Sequence, residues 1–205
     1  VGDRDLRRGL VEDLAGNTIP VADDVKLQVE FNPAVVSQYR LIGYETRALR
    51  REDLRNDRVD AGEVGSGRSV TAIYEFVPVD SLRAPLPPLR YAPAPAPAAS
   101  RTGPQDEIAY LRIAYKLPGQ ARSRELARPI TPRDAVARFE QAPAEARFAT
   151  AVAAFAQLLR RSPQIEGFGT EQIAEIADQA RGRDAGGRRA EFVSLVRLAG
   201  ALTRR

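Results

Sequence analysis

The 205-residue sequence contains no cysteine, histidine, methionine or tryptophan, and of its 31 basic residues only Lys26 and Lys116 are lysines. Each absence removes a class of chemistry. Without cysteine there are no disulfides and no redox marker of a compartment. Without histidine, Ser-His-Asp triads, imidazole acid–base catalysis and His-ligated zinc or iron sites are all excluded. Apolar runs are short, and none reaches the roughly eighteen residues that a membrane-spanning helix needs.

A dominant charge of one sign is lacking as well. The 31 basic side chains face 27 acidic ones, for a formal net charge of +4. The pI near 9.7 resembles that of a nucleic-acid binder, but acids are interleaved with the arginines: Asp3 and Asp5 flank Arg4, and Glu52 and Asp53 follow Arg51. Nucleic-acid binding needs a clustered basic face, so it is not expected here. The preference for Arg and Ala over Lys reads as a compositional lean of the source genome.

What is present fits a globular protein. Hydrophobic residues make up 43% and charged residues 28%, enough for one substantial core or two small ones. The sequence starts at Val1 with neither methionine nor a signal-like segment, so it is expected to be a piece of a longer protein.

Periodicity organises the chain. Leu6, Leu10, Val11 and Leu14 recur at helical spacing before the Gly16-Asn17 stop, which predicts a short helix over Asp5–Asn17. Val25, Leu27, Val29 and Phe31 then alternate with polar residues, the pattern of a strand with one buried face, and Pro33 ends it. A second strand is predicted in "SQYRLIGYE", with Tyr39 and Leu41 on one face. A polar loop (Arg51–Arg68) leads to a third strand, Ser69–Val79. Residues 84–105 form a proline-rich excursion in low-complexity sequence. A fourth strand follows in "DEIAYLRIAYKLPG", and "RSRELARPI" is its hairpin partner.

From Thr131 the period becomes helical. Thr131, Pro132 and Asp134 look like a helix start, which predicts a helix over "TPRDAVARFE". Three more helices are predicted. The first carries a Phe148, Val152, Phe155, Leu159 stripe. The second runs from a Thr170 cap to Gly182 with Ile173, Ile176 and Ala177 inward, and the third places Phe192, Leu195, Val196 and Ala199 inward. Strands followed by helices, without βαβ alternation, define α+β. The expected architecture is an antiparallel, sandwich-like sheet module over residues 17–131, then a layer of about three helices over 132–205 packed on the sheet.

Four patterns bear on chemistry. "GEVGSGRS" (Gly62–Ser69) nearly fits a phosphate-binding loop, but Arg68 replaces the lysine and a strand, not a helix, is predicted to follow. Asp53, Asp57, Asp60 and Glu63 (with Asn56) supply hard oxygen ligands of the type Ca²⁺ or Mg²⁺ takes. The EF-hand order is missing, and Arg51, Arg55 and Arg58 compete for the carboxylates, so a solvated turn is the favoured reading. Adjacent Asp23 and Asp24 read as a strand-entrance turn; Ser81, Ser123 and Ser194 have no histidine to activate them. Strand aromatics, including Tyr39, Tyr44, Tyr74, Tyr110 and Tyr115, read as core with hydroxyls at the rim. No catalytic residue and no cofactor site is assigned from these patterns.

Longer blocks carry a family likeness. "DVKLQVEFNPAVVSQYRLIGYETR", "DAGEVGSGRSVTAIYEFVPV", "RFATAVAAFAQLLRRSP" and "GGRRAEFVSLVRLA", in that order, closely resemble the C-terminal domain of unknown function in bacterial YfbK-like proteins, which carry a von Willebrand factor type A domain. The resemblance runs from about Leu10 to Leu202 and is weakest in the proline-rich stretch and around Arg133. It implies a non-enzymatic accessory or protein-interaction domain of an envelope-associated or periplasmic protein. Its expected partners are proteins, including the A domain itself, with residues 1–16 as that domain's last helix. A divalent cation is expected only in the A domain, because its D-x-S-x-S motif is missing from this sequence. The alternative is a Ca²⁺- or Mg²⁺-dependent enzyme or cation-binding module that uses loop 53–63.

Overall fold

A computed structural model of the chain describes residues 20–43, 62–79, 81, 107–165 and 167–203. The helix predicted over Asp5–Asn17, most of the acidic loop and the proline-rich excursion lie outside the described residues. The chain divides into two compact units, Val1–Asp134 and Ala135–Arg205.

The first unit holds antiparallel sheets. Strands β1 (Pro20–Phe31), β2 (Val36–Ile42), β3 (Gly62–Gly65), β4 (Ile73–Pro78), β5 (Ala109–Lys116) and β6 (Ser123–Ile130) form a four-stranded sheet in the order β3-β1-β5-β6 and a two-stranded ribbon, β2-β4. The ends of β1 differ in role. Its first half pairs with β3 on one side, and Lys26–Phe31 pair with Ala114–Ala109 of β5 on the other. Asn32 then turns the chain out of the sheet: its carbonyl accepts the Val35 and Val36 amides, and its side chain accepts the Ala34 amide. Local Asx hydrogen bonding of this kind, next to a proline, is the physical basis of the break.

Three strand expectations change in detail. Gly62–Gly65, read as part of a loop, is a short strand on β1, and a turn with Gly67 at φ 71° follows it. β4 begins at Ile73, four residues after the predicted start at Ser69. The expected burial of β1 is reversed at its centre: Lys26 is 2% exposed, whereas Leu27 is 40% exposed.

The second unit is helical: α1 (Ala144–Leu159), α2 (Thr170–Gln179) and α3 (Arg188–Thr203). Its core is built largely from small residues, with Ala151 and Ala154 of α1, Ile173, Ala174 and Ala177 of α2 and Val193 and Val196 of α3 in one buried cluster. Phe148 and Phe155 flank it and both meet the Phe192 ring edge-on. Arg189 ties the helices at one end: it pairs with Glu145, donates to the Ala180 and Arg181 carbonyls at the end of α2, and lies 4.7 Å above the Phe148 ring.

The helix predicted over "TPRDAVARFE" does not form. Pro132–Asp134 and Phe139–Gln141 are isolated 3-10 turns. The Thr131 amide and hydroxyl both donate to the Asp134 carboxylate, at 2.9 and 3.1 Å, which closes a single turn, and Arg138 is extended at φ −139° and ψ 144°, so no helix propagates. The caps of the later helices also shift: Gly169, not Thr170, precedes α2, and its amide donates to the Gln172 side chain at 3.2 Å.

Candidate functional site: a lysine pair on one aspartate

The most concentrated chemistry among the described residues sits where β1 passes from β3 to β5. The β1 register slips between Ala22 and Val25 against β3 and between Asp23 and Lys26 against β5. These slips mark a bulge, and Asp24 occupies it in the left-handed region at φ 52°. Asp tolerates that conformation better than most side chains do. The bulge re-aims the Asp24 carboxylate, which receives Lys26 Nζ at 3.0 Å and Lys116 Nζ at 3.1 Å. Asp23 Oδ1 is buried at the same place without a hydrogen-bond partner among the described residues.

Electrostatics fix the ionisation of Asp24. Burial alone would raise its pKa, but hydrogen bonds and charge attraction from Lys26 and Lys116 outweigh burial and lower it from the ordinary 3.8. The carboxylate therefore stays charged, as a salt bridge with both ammonium groups. Through Lys116 the carboxylate ties β1 to β5, its neighbour in the sheet.

The sequence reading missed this cluster, because Asp23-Asp24 read as a turn. A signal was present: the only two lysines in a chain of 31 basic residues converge on one carboxylate. Where arginine is otherwise used throughout, a retained lysine marks a position whose space suits a compact ammonium but not a planar guanidinium.

Of the residues proposed for a cation, only Glu63 is among those described. Asp53, Asp57 and Asp60 lie outside the described residues, while Glu63 is exposed in the middle of β3. Among the described residues, no three acidic side chains gather as a metal group would require. Of the serines, Ser194 Oγ donates to the Ala190 carbonyl within α3 and Ser123 is exposed at the start of β6. No described helix is long and apolar enough to cross a membrane.

Surfaces complete the inventory. Between α2 and α3 a cleft of about 570 Å³ is lined by Glu171, Glu175, Asp178 and Arg197, with Gly200 among its lining residues. Asp178 and Arg197 pair across it at 3.1 Å. Leu195, Leu198 and Leu202 of α3 are 53%, 56% and 62% exposed.

Among the described residues, the fold and this cluster define an α+β arrangement of antiparallel sheets and three C-terminal α-helices, with an ion-paired bulge in β1. The chain belongs to the family described as "Uncharacterized protein YfbK, C-terminal", which matches residues 16–202. It is 42% identical over 186 residues to "Uncharacterized protein YfbK" of Escherichia coli (strain K12), a match that covers 90% of this chain and 31% of that protein. The chain thus spans about a third of the length of that relative. No solved structure matches it.

Proposed function

We propose that this domain is a non-enzymatic protein-interaction module, acting as an accessory to the larger protein of which its relatives are part. The observation that carries the reading is the two-sided character of α3. Val193, Val196 and Gly200 are buried on one side, while Leu195, Leu198 and Leu202 form an i, i+3, i+7 stripe on the opposite side, more than half exposed. A helix apolar on opposite faces is normally covered on both. Covering what remains exposed of each leucine is worth roughly 1 kcal/mol, a reasonable anchor for a partner. The proposed setting is the bacterial cell envelope, with an upstream A domain as one partner; the resemblance to YfbK-like proteins supports this reading.

The test is capture from envelope extract, with the full chain as bait, read by mass spectrometry. A protein retained by the native chain and lost with Leu195→Asp and Leu198→Asp is the expected result. Retention unchanged by these substitutions would remove α3 from the reading. A calcium-dependent rise in melting temperature, lost in Asp57→Ala and Asp60→Ala, would replace it with the cation-binding alternative.

A further inference from the structure

The β2–β4 ribbon is amphipathic, and its apolar face is only partly covered. Register places Tyr39 opposite Phe76 and Leu41 opposite Tyr74, so these four share one face. Gln38, Arg40 and Glu75 take the other, where Arg40 and Glu75 pair at 2.6 Å. Phe31, at the end of β1, stacks on Tyr39 at 4.5 Å and meets Tyr74 and Phe76 at 5.6 and 5.8 Å. Tyr39 nevertheless remains 60% exposed and Phe76 41% exposed. Tyr74 is half-buried; burial, and then the neighbouring Tyr39, raise its pKa, which keeps its hydroxyl a neutral donor.

The path of the chain bears on what fits there. After β4 the Val79 amide donates to the Val35 carbonyl at 2.8 Å. Before β5 the Glu107 carbonyl accepts from the Asn32 side chain at 2.8 Å, and the Ile108 carbonyl accepts the Asn32 amide at 2.9 Å. Asn32 and Val35 belong to one turn, next to Phe31. The described residues that flank the intervening sequence, Val79 and Glu107, therefore both lie at the turn next to Phe31 and its aromatic contacts, and the sequence between them lies outside the described residues. It contains "PLPPLRYAPAPAP", Pro85–Pro97, with six prolines.

We propose that the aromatic face of β2 and β4 is a docking site for an extended proline-rich segment, and that its occupant is this chain's own Pro85–Pro97. Proline rings pack flat on aromatic rings, and a polyproline segment loses little entropy on docking. Its carbonyls have no internal partners and accept from tyrosine hydroxyls. The tether supplies the rest: attachment at both ends gives an effective concentration on the order of millimolar, enough to hold a weak contact closed. The proposal does not rest on the α3 surface.

A peptide of residues 84–100 is titrated, by NMR, onto two full chains: the native one, and one with the six prolines between 85 and 97 changed to alanine. The expected result is that the peptide shifts Tyr39 and Phe76 resonances in the alanine variant. It should bind the native chain about tenfold more weakly, the factor a ~1 mM internal competitor imposes on a ~0.1 mM interaction. In the alanine variant Tyr39→Ser abolishes peptide binding and Tyr39→Phe largely retains it. Equal binding to both chains would overturn the assignment of the occupant, and no binding to the alanine variant would overturn the docking site. The native chain provides a check independent of any variant: nuclear Overhauser contacts between proline protons and the Tyr39 or Phe76 rings are expected, and their absence rejects the proposal.

Discussion

Lysine and arginine carry the same charge on different shapes, and Lys26 is where that difference has the largest consequence. Its side chain is 2% exposed and ends 3.0 Å from Asp24. A guanidinium there adds volume and a planar fork with five donors to a space that already holds a second ammonium. Lys26→Arg is expected to cost about 1–3 kcal/mol by overpacking. Lys116→Arg should cost less, because Lys116 is 18% exposed and can shift outward. Urea denaturation of the two variants checks the order; equal, native-like stability in both would mean the lysines are an accident of composition. Acid sensitivity belongs to the same scale. Asp24, Asp134 and Asp184 all have lowered pKa values: Asp24 because its lysines overcome burial, Asp134 chiefly through the Thr131 amide, Asp184 chiefly through the Ala190 amide at the start of α3. The unfolded chain then binds more protons than the folded one at acid pH. The contribution is fully present above the unfolded value of about 4 and is lost as pH falls toward the lower folded values. Asp184→Asn keeps an acceptor oxygen and removes the charge, so it should lower stability at pH 7, where the charged contribution is fully present, and matter less as pH falls below about 4, which flattens the acid limb of the stability-versus-pH curve. An unchanged acid slope would count against it.

At the scale of elements, the helices were legible and their buried faces only in part: Ile173 and Ala177 of α2 and Val196 of α3 are buried as expected, and Phe148, Phe155, Ile176 and Phe192 pack against that core. Periodicity located α1, α2 and α3, but it favoured large residues for the core. Val152 and Leu159, from the predicted stripe of α1, are 41% and 63% exposed, and Leu195 of α3 is 53% exposed. Alanines occupy the core instead, because close approach between helices requires short side chains at the crossing. Strands showed the same limit: alternation found β1, yet it is the ion pair with Asp24, re-aimed by the bulge in the same strand, that accounts for Lys26 as the most buried residue of β1. In "TPRDAVARFE" a good helix start was visible, but the chain turns extended at Arg138 and no helix propagates from it. Gly200 carries the element-scale prediction. A Cβ added there would overlap Thr170 Oγ1 and lie 3.1 Å from Thr170 Cβ. Gly200→Ala gains about 1 kcal/mol of helix propensity but pushes α3 off the first turn of α2, at a cost of about 1–3 kcal/mol. Net destabilisation is expected, with partial recovery in Gly200→Ala/Thr170→Ala, since that second change removes the overlapping hydroxyl and the methyl while leaving Cβ. Thermal melts of the single and double variants measure the coupling. A single variant more stable than the native chain would show that the helix crossing can open freely.

For the whole molecule, α+β class could be read from the order of strand and helix periods, whereas the ion-paired bulge could not, since it joins residues 24, 26 and 116. Two observations bear on how stability is distributed between the compact units. Every residue of the buried helical cluster, from Ala151 to Val196, comes from Ala135–Arg205. The ion pairs of Arg189 with Glu145 and Arg197 with Asp178 also close within that unit. A segment of this size can fold alone when its contacts are internal, though with modest stability. Residues 135–205 expressed alone are therefore expected to show a helical circular dichroism spectrum and one cooperative melt. Gly200→Ala should lower that midpoint in the fragment as it does in the full chain, because Thr170 is present in both. A fragment that is helical but melts without cooperativity would mean that the small-residue core needs the sheet unit to hold it. A matching midpoint shift in fragment and full chain would instead place the stability of α3, and of the leucine stripe it displays, within the helical unit itself.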